Sequence, residues 1–140
     1  SQGRNSVIRS ILRRGIRYGK TKLGAELGFF TKLVDYVVDE MSDFYPEIKK
    51  KKDLIKNIIY QEEVRFAKTI DKGELLFARE SKKLKQNGKN VVPGDIVFKL
   101  YERYGFPPDL SEIMAEEIDM KCDMDEYNQC FDKHREKSKN

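Results

Sequence analysis

The sequence predicts an all-α protein, a multi-helix bundle built around one long central helix. Three observations lead there. Apolar residues recur at three- and four-residue spacing through most of the 140 residues, and no strand-rich segment or internal repeat interrupts them. Charged residues make up 37% and hydrophobic residues 39%, a balance that suits helices with one core face and one solvated face. Gly, Pro, Asn and Asp fall in short clusters between the periodic stretches, where turns belong.

Taken in order, Asn5 or Ser6 is positioned to cap a first helix reaching about Lys22, with Ile8, Ile11, Leu12 and Ile16 as its apolar face. Leu23 to Gly28 reads as a connection. A second helix carries Phe30, Leu33, Val34, Val37, Val38 and Met41, and Asp43-Phe44-Tyr45-Pro46 ends it. The third helix is expected to be the spine, from Pro46 or Asp53 to Lys85. Its seam is Ile55, Ile58, Ile59, Phe66, Ile70, Leu76 or Phe77, and Leu84. Gly73 inside it costs about 1 kcal/mol against Ala, so a close approach by another element is expected there. Asn87-Gly88-Lys89-Asn90 is a turn. Pro93-Gly94-Asp95 opens a fourth helix with Ile96, Val97, Leu100 and Tyr101 inward, and Gly105 is placed to stop it. Phe106-Pro107-Pro108 is an extended break. Asp109 to Glu112 has the form of a capping box for a short helix to about Glu117. Met120-Lys121-Cys122 is a short extended link that can form a small pair. Asp123 caps a last helix containing Tyr127, Cys130 and Phe131, with fraying expected from Arg135 to Asn140. The whole chain is expected to form a single domain, residues 1–140.

Charge is distributed unevenly. The net charge is only +4, but Ser1 to Ala25 contain Arg4, Arg9, Arg13, Arg14, Arg17, Lys20 and Lys22 and no acid. The charged residues from Asp109 to Glu126 are all acids apart from Lys121. One end should attract polyanions and the other repel them. Arg9, Arg13 and Arg17 are spaced four apart and form a stripe on one side of the first helix, with Arg14 beside it. Cations on a rigid helix suit phosphate binding, because positioned side chains lose little freedom on contact. The competing reading is a solvated face paired with acidic helices, and composition alone does not separate the two.

Catalytic signals are absent. No Walker loop, dinucleotide fingerprint or nucleophile elbow occurs. His134 lies among Lys133, Arg135 and Glu136 and reads as a solvent-facing side chain. Cys122, Cys130 and His134 match no compact zinc spacing and lack a fourth ligand, so no metal is expected in this segment. Two cysteines make no disulfide framework and favour a reducing compartment. No apolar run approaches the roughly 18 residues of a membrane span. No signal peptide is visible, although Ser1 to Arg4 has the look of an artificial boundary and is not read for targeting.

Two segments carry a resemblance. Gly3-Arg4-Asn5-Ser6-Val7-Ile8-Arg9-Ser10-Ile11-Leu12-Arg13-Arg14-Gly15-Ile16-Arg17-Tyr18-Gly19 is similar to a signature of the alanyl-tRNA synthetases, which are class II aminoacyl-tRNA synthetases. Leu100-Tyr101-Glu102-Arg103-Tyr104-Gly105-Phe106-Pro107-Pro108-Asp109-Leu110 resembles a second signature of that family. Between them, Gly28 to Val34, Tyr45-Pro46-Glu47 and Gln61 to Phe66 fall in the family's order, so the resemblance covers essentially the whole chain.

The resemblance implies a helical tRNA-recognition segment that follows a catalytic domain and precedes an editing domain of the same parent chain. The parent would attach alanine to tRNA(Ala) with ATP and magnesium, and its editing domain would hold zinc. The segment alone is expected to be inactive and to need no cofactor. Its partners would be the tRNA acceptor stem and the other domains of the parent, in the cytoplasm or an organelle, with no membrane. The implied RNA-binding residues are Ser1, Arg4, Arg9, Arg13, Arg14, Arg17, Glu102 and Arg103. In the family, an Asn just before the first motif's Gly-Arg and an Asp after the second motif's Tyr read a G·U pair in the acceptor stem. Ser1 and Glu102 stand at those positions here, and the longer Glu side chain displaces its acceptor by about 1.5 Å, enough to disturb hydrogen-bond geometry. Two rivals remain from the residues: a non-catalytic helical RNA-binding protein, and a helical protein-interaction scaffold.

Overall fold

The computed structural model describes residues 2–139, and side chains from Ser6 onward. Ser1 and the side chain of Arg4 therefore lie outside the described residues. Eight helices and one pair of two-residue strands make up the described chain, as the periodicity predicts. They group into two compact units, residues 1–68 and 69–140.

The first unit holds α1 (Gln2–Leu23), α2 (Phe29–Met41), α3 (Pro46–Lys50) and α4 (Lys52–Ala67). Helix α1 begins ahead of Asn5 and Ser6, so neither residue is the cap the sequence suggests. Its apolar face is also less buried than expected. Ile8 and Ile11 are exposed, and only Leu12 and Ile16 are half-buried. The apolar core is small, with Val38, Ile59 and Phe66 buried. Two carboxylates, Glu62 and Glu63, are buried beside it.

Glu63 explains how α2 starts. Gly28 precedes the helix with φ of 93° and has no side chain to cap it. Glu63 reaches over from α4 instead. Its carboxylate accepts the amides of Gly28 (3.0 Å), Phe30 (3.3 Å) and Thr31 (2.7 Å), and the Thr31 hydroxyl. The orphan donors of a helix N-terminus are thus met by a tertiary contact, and a negative charge sits at the positive end of the helix dipole. On the outer side, Lys52 bridges Asp35 (3.0 Å) and Asp39, and Lys56 reaches Asp35 (3.3 Å). These partly solvated pairs tie α2 to α4 weakly.

The long third helix predicted from Pro46 or Asp53 to Lys85 is interrupted. Helix α4 ends at Ala67 and α5 (Ile70–Gln86) begins after a turn at Lys68–Thr69. Thr69 leaves the helical ladder because its hydroxyl donates to the Tyr104 carbonyl (2.7 Å), one of the orphan acceptors at the end of a later helix. Phe66 and Ile70, both buried, keep the four-residue apolar spacing across the break, so periodicity alone could not locate it, although Ile58 of the expected seam is exposed.

In the second unit, α5 is followed by β1 (Val91–Val92), α6 (Gly94–Tyr104), α7 (Pro108–Glu116), β2 (Lys121–Cys122) and α8 (Met124–Lys139). The strands pair in parallel, Val91 with Lys121 and Val92 with Cys122, which is the small pair expected near Met120. Buried Ile70, Leu76, Phe77, Val92, Val97, Leu100, Phe106, Leu110, Met114, Ala115 and Met120 form a continuous core. Both seam alternatives, Leu76 and Phe77, are inside. Gly105 ends α6 at φ of 70°, with its amide on Tyr101 and that of Phe106 on Leu100, as its position predicts.

The close approach expected at Gly73 is made by the Phe106 ring. A Cβ there would meet Phe106 Cε1 at 2.3 Å. Asp109 is not a cap. Helix α7 starts at Pro108, whose fixed φ suits a first helical position, and Asp109 lies inside the first turn. Asp123 does cap the last helix, its carboxylate accepting the Glu126 amide at 3.0 Å. Helix α8 continues to Lys139, past the expected fraying point, with acids in its first turn and Lys137 and Lys139 in its last.

Candidate nucleic-acid interface

Two arginines of the α1 stripe meet one carboxylate on α4. Arg9 donates from Nε to Glu62 Oε1 (2.9 Å), and Arg13 from Nη2 to Glu62 Oε2 (3.1 Å). Arg13 is the more enclosed of the two, 12% exposed against 50%, and its guanidinium lies 5.3 Å from the Phe66 ring centre. Its position beside Glu62 and over an aromatic face makes it a clamp between α1 and α4. Arg9 keeps half of its side chain open. Arg17 is half-buried and engaged within the chain. Arg14 differs from all of them. It is half-buried and, although Arg13 and Arg17 likewise have an Nε shielded from solvent without a hydrogen bond, it alone of the four has no partner among the described residues.

Glu62 is the residue that sequence reading missed. It falls on the seam Ile59, Glu62, Phe66, three and then four residues apart, and a carboxylate on a core face requires a cation opposite. That signal was available in the sequence. Burial alone would raise the Glu62 pKa. The hydrogen bonds and charges of Arg13 and Arg9 more than reverse this, and the group ends below the ordinary carboxylate value. The stability it contributes is therefore full above that ordinary value and is lost as pH falls through the lowered one.

Glu112 on α7 has the opposite sign: burial, then the charges of Asp109 and Glu116, raise its pKa. It favours the fold when protonated, and that contribution is lost as pH rises through the raised value. Glu62→Gln should lose stability relative to the parent between about pH 3 and pH 7, whereas Glu112→Gln should gain it. Denaturant titrations at the two pH values check this, and parallel shifts of both variants would contradict it.

Glu102 and Arg103 are in the last turn of α6, and both are exposed. Glu102 has no partner among the described residues, Arg103 and Lys99 included. Tyr101 belongs to an aromatic cluster between α6 and α8, edge-on to Tyr127 at 6.1 Å and 5.9 Å from Phe131. His134 is exposed and lies 5.5 Å from Phe98. Cys122 donates to the Ser111 carbonyl (3.6 Å), and burial, with Glu112 nearby, pushes its thiol up to about 11. Among the described residues no helix is long and apolar enough to cross a membrane. No group of three or more His, Cys, Asp or Glu among them could hold a metal ion.

The family model for class II (A) tRNA synthetases matches residues 1–140. The chain belongs to the class II (A) tRNA synthetases. Within this synthetase family it is 47% identical over 125 residues to the cytoplasmic alanine–tRNA ligase of Drosophila melanogaster, covering 89% of this chain and 13% of that protein. It is 43% identical over 124 residues to the alanine–tRNA ligase of Schizosaccharomyces pombe, 88% and 13% of the two chains. It is 40% identical over 140 residues to that of Bacillus subtilis, 100% and 16%. The synthetase segment thus spans less than a fifth of each of these relatives.

Proposed function

We propose that this segment binds the acceptor stem of tRNA(Ala) within a longer alanine–tRNA ligase that attaches alanine using ATP. The observation that carries the reading is Arg14: a half-buried cation without a partner, on a helix whose sequence contains no acid. A guanidinium held in that state gains most from a phosphate, which supplies two acceptors to its planar fork. Arg9 and Arg17 add cations on the same helix, while the RNA role of Arg4 and Ser1 rests on the family resemblance. Glu102 has a free carboxylate that can accept from the unpaired guanine amino group of a G·U pair, which projects into the shallow minor groove of A-form RNA. ATP, magnesium and zinc are assigned to other parts of the longer chain, as is the alanine-transfer chemistry. The word cytoplasmic in one relative's name favours the cytoplasm for that chain.

Binding of acceptor-stem duplexes carrying G·U, G·C or A·U tests both sites, with the duplexes compared at one fixed salt concentration for Glu102 and across a salt series for Arg14. Arg14→Ala should weaken all three duplexes by similar factors and reduce the log–log salt slope by roughly 0.7 to 0.9. Arg13→Ala should mainly lower stability, since Arg13 is spent on Glu62. Glu102→Gln should reduce any preference for G·U, a preference of about 1–3 kcal/mol when the contact is well made, and Glu102→Asp should keep or sharpen it. Equal binding of every duplex by wild type and both variants would remove Glu102 as a reader. An unchanged salt slope in Arg14→Ala would remove Arg14 as a phosphate ligand.

A further inference from the structure

The large apolar side chains left in water are concentrated in the first unit. Val7, Ile8 and Ile11 on α1 and Leu54 and Ile58 on α4 are each about half exposed or more, whereas the second unit leaves Leu75, Val91 and Tyr101. Between α1 and α4 lies an open cavity of about 260 Å³ lined by Ile8, Arg9, Leu12, Ile58, Gln61, Glu62 and Arg65. Its apolar lining is aliphatic, and its rim is cationic. Glu62 is already matched by both Arg9 and Arg13, and Arg65 is exposed with no partner among the described residues.

We infer that this cavity is a docking site for an amphipathic polypeptide segment supplied by the longer chain, one that presents a large apolar side chain beside an Asp or Glu. The aliphatic lining fixes the class of occupant. A nucleotide base would find no ring to stack on, and RNA phosphates would leave Ile8 and Ile58 in contact with water. A Leu- or Phe-sized side chain would fill the space between them and take their apolar surface out of water. The excess positive charge of Arg65 and the open half of Arg9 select an acid next to it, because like charge at that rim would be repelled. The source rests on the proposed longer chain: this segment covers 13% to 16% of the relatives it matches, and in a parent of that length most of the polypeptide that could cover the face would be in the same molecule. The site is separate from the unpartnered guanidinium of Arg14, and it does not depend on the RNA reading.

The test is thiol accessibility in the full-length parent chain against the 140-residue chain. Ile58→Cys is labelled with a maleimide and read at peptide level, with Lys89→Cys, at an exposed turn of the second unit, as the control. Ile58→Cys is expected to react at least about tenfold more slowly in the full-length chain, independently of protein concentration, while Lys89→Cys is unchanged. Adding Arg65→Glu should restore most of the rate. Equal rates in the two chains would overturn the proposal. So would slowing that depends on concentration, which would mean a second copy. Slowing that requires added tRNA would assign the face to RNA, and slowing insensitive to Arg65→Glu would remove the acidic partner. Loss of duplex binding in Arg14→Ala has no bearing on these rates, so the two readings fail separately.

Discussion

Gly94→Ala is expected to destabilise the second unit by about 3 kcal/mol or more, beyond the usual cost of an overpacked core. A Cβ at Gly94 would stand 2.2 Å from the Tyr127 amide nitrogen, 2.5 Å from the Glu126 carbonyl carbon and 2.6 Å from Glu126 Cβ. Two of these obstacles are backbone, so no rotamer change relieves them. That backbone is also held in place. The Asp123 amide donates to Val92 (2.9 Å), Asp123 caps Glu126 (3.0 Å), and Glu126 accepts the Asp95 amide (3.2 Å). Making room means moving the first turn of α8, which would also pull Tyr127 away from Phe98 and Tyr101. Ala would be the better helix former by about 1 kcal/mol, and the clash outweighs that gain. A thermal melt should show a fall of more than about 12 °C, taking at least 4 °C per kcal/mol for a unit of this size. Gly15→Ala is the control. Its Cβ would meet Phe30 Cε2 at 2.8 Å, and a ring can turn aside. A melt of Gly94→Ala matching wild type would mean that α6 and α8 are not packed as described.

Glu63→Ala should have a comparable effect on the first unit, about 3–4 kcal/mol, because it strands several donors at once. Only 3% of Glu63 is exposed, so water cannot replace its carboxylate without opening the structure. The amides of Gly28, Phe30 and Thr31 would lose their acceptor, and the truncated side chain would leave a cavity. Glu63→Gln should cost roughly half as much, since one oxygen remains while the new amide group faces donors. Denaturant melts measure the total. Hydrogen exchange at residues 28, 30 and 31 localises it, and unchanged protection there in Glu63→Ala would show that α2 starts without this contact. The first unit is sensitive to this change because its apolar core is small. Polar contacts carry a larger share of its stability than in the second unit, where Phe106, Leu100 and Leu110 are fully enclosed.

Helix content and most helix ends were legible, because both follow from local chemistry. The stop at Gly105 needs only a residue that accepts positive φ. The start at Asp123 needs only a short carboxylate before a helical run. The parallel pair of β1 and β2 was legible as an extended link at Met120 to Cys122, although its partner was not. The break at Thr69 was not legible. It is made by a hydroxyl that bonds to Tyr104, 35 residues away, and no window of local sequence contains that contact.

The candidate RNA-binding residues divide in the same way. Sequence alone placed a dense set of arginines on one acid-free helix and, through two motifs, identified the family. It treated those arginines alike, since spacing says which side chains share a face and not what that face meets. Tertiary structure separated them by placing Glu62 opposite Arg9 and Arg13 while leaving Arg14 unmatched. The difference between a paired arginine and an unmatched one lies in the counter-charge, and a counter-charge from residue 62 reaches residue 13 only once α1 and α4 have packed together.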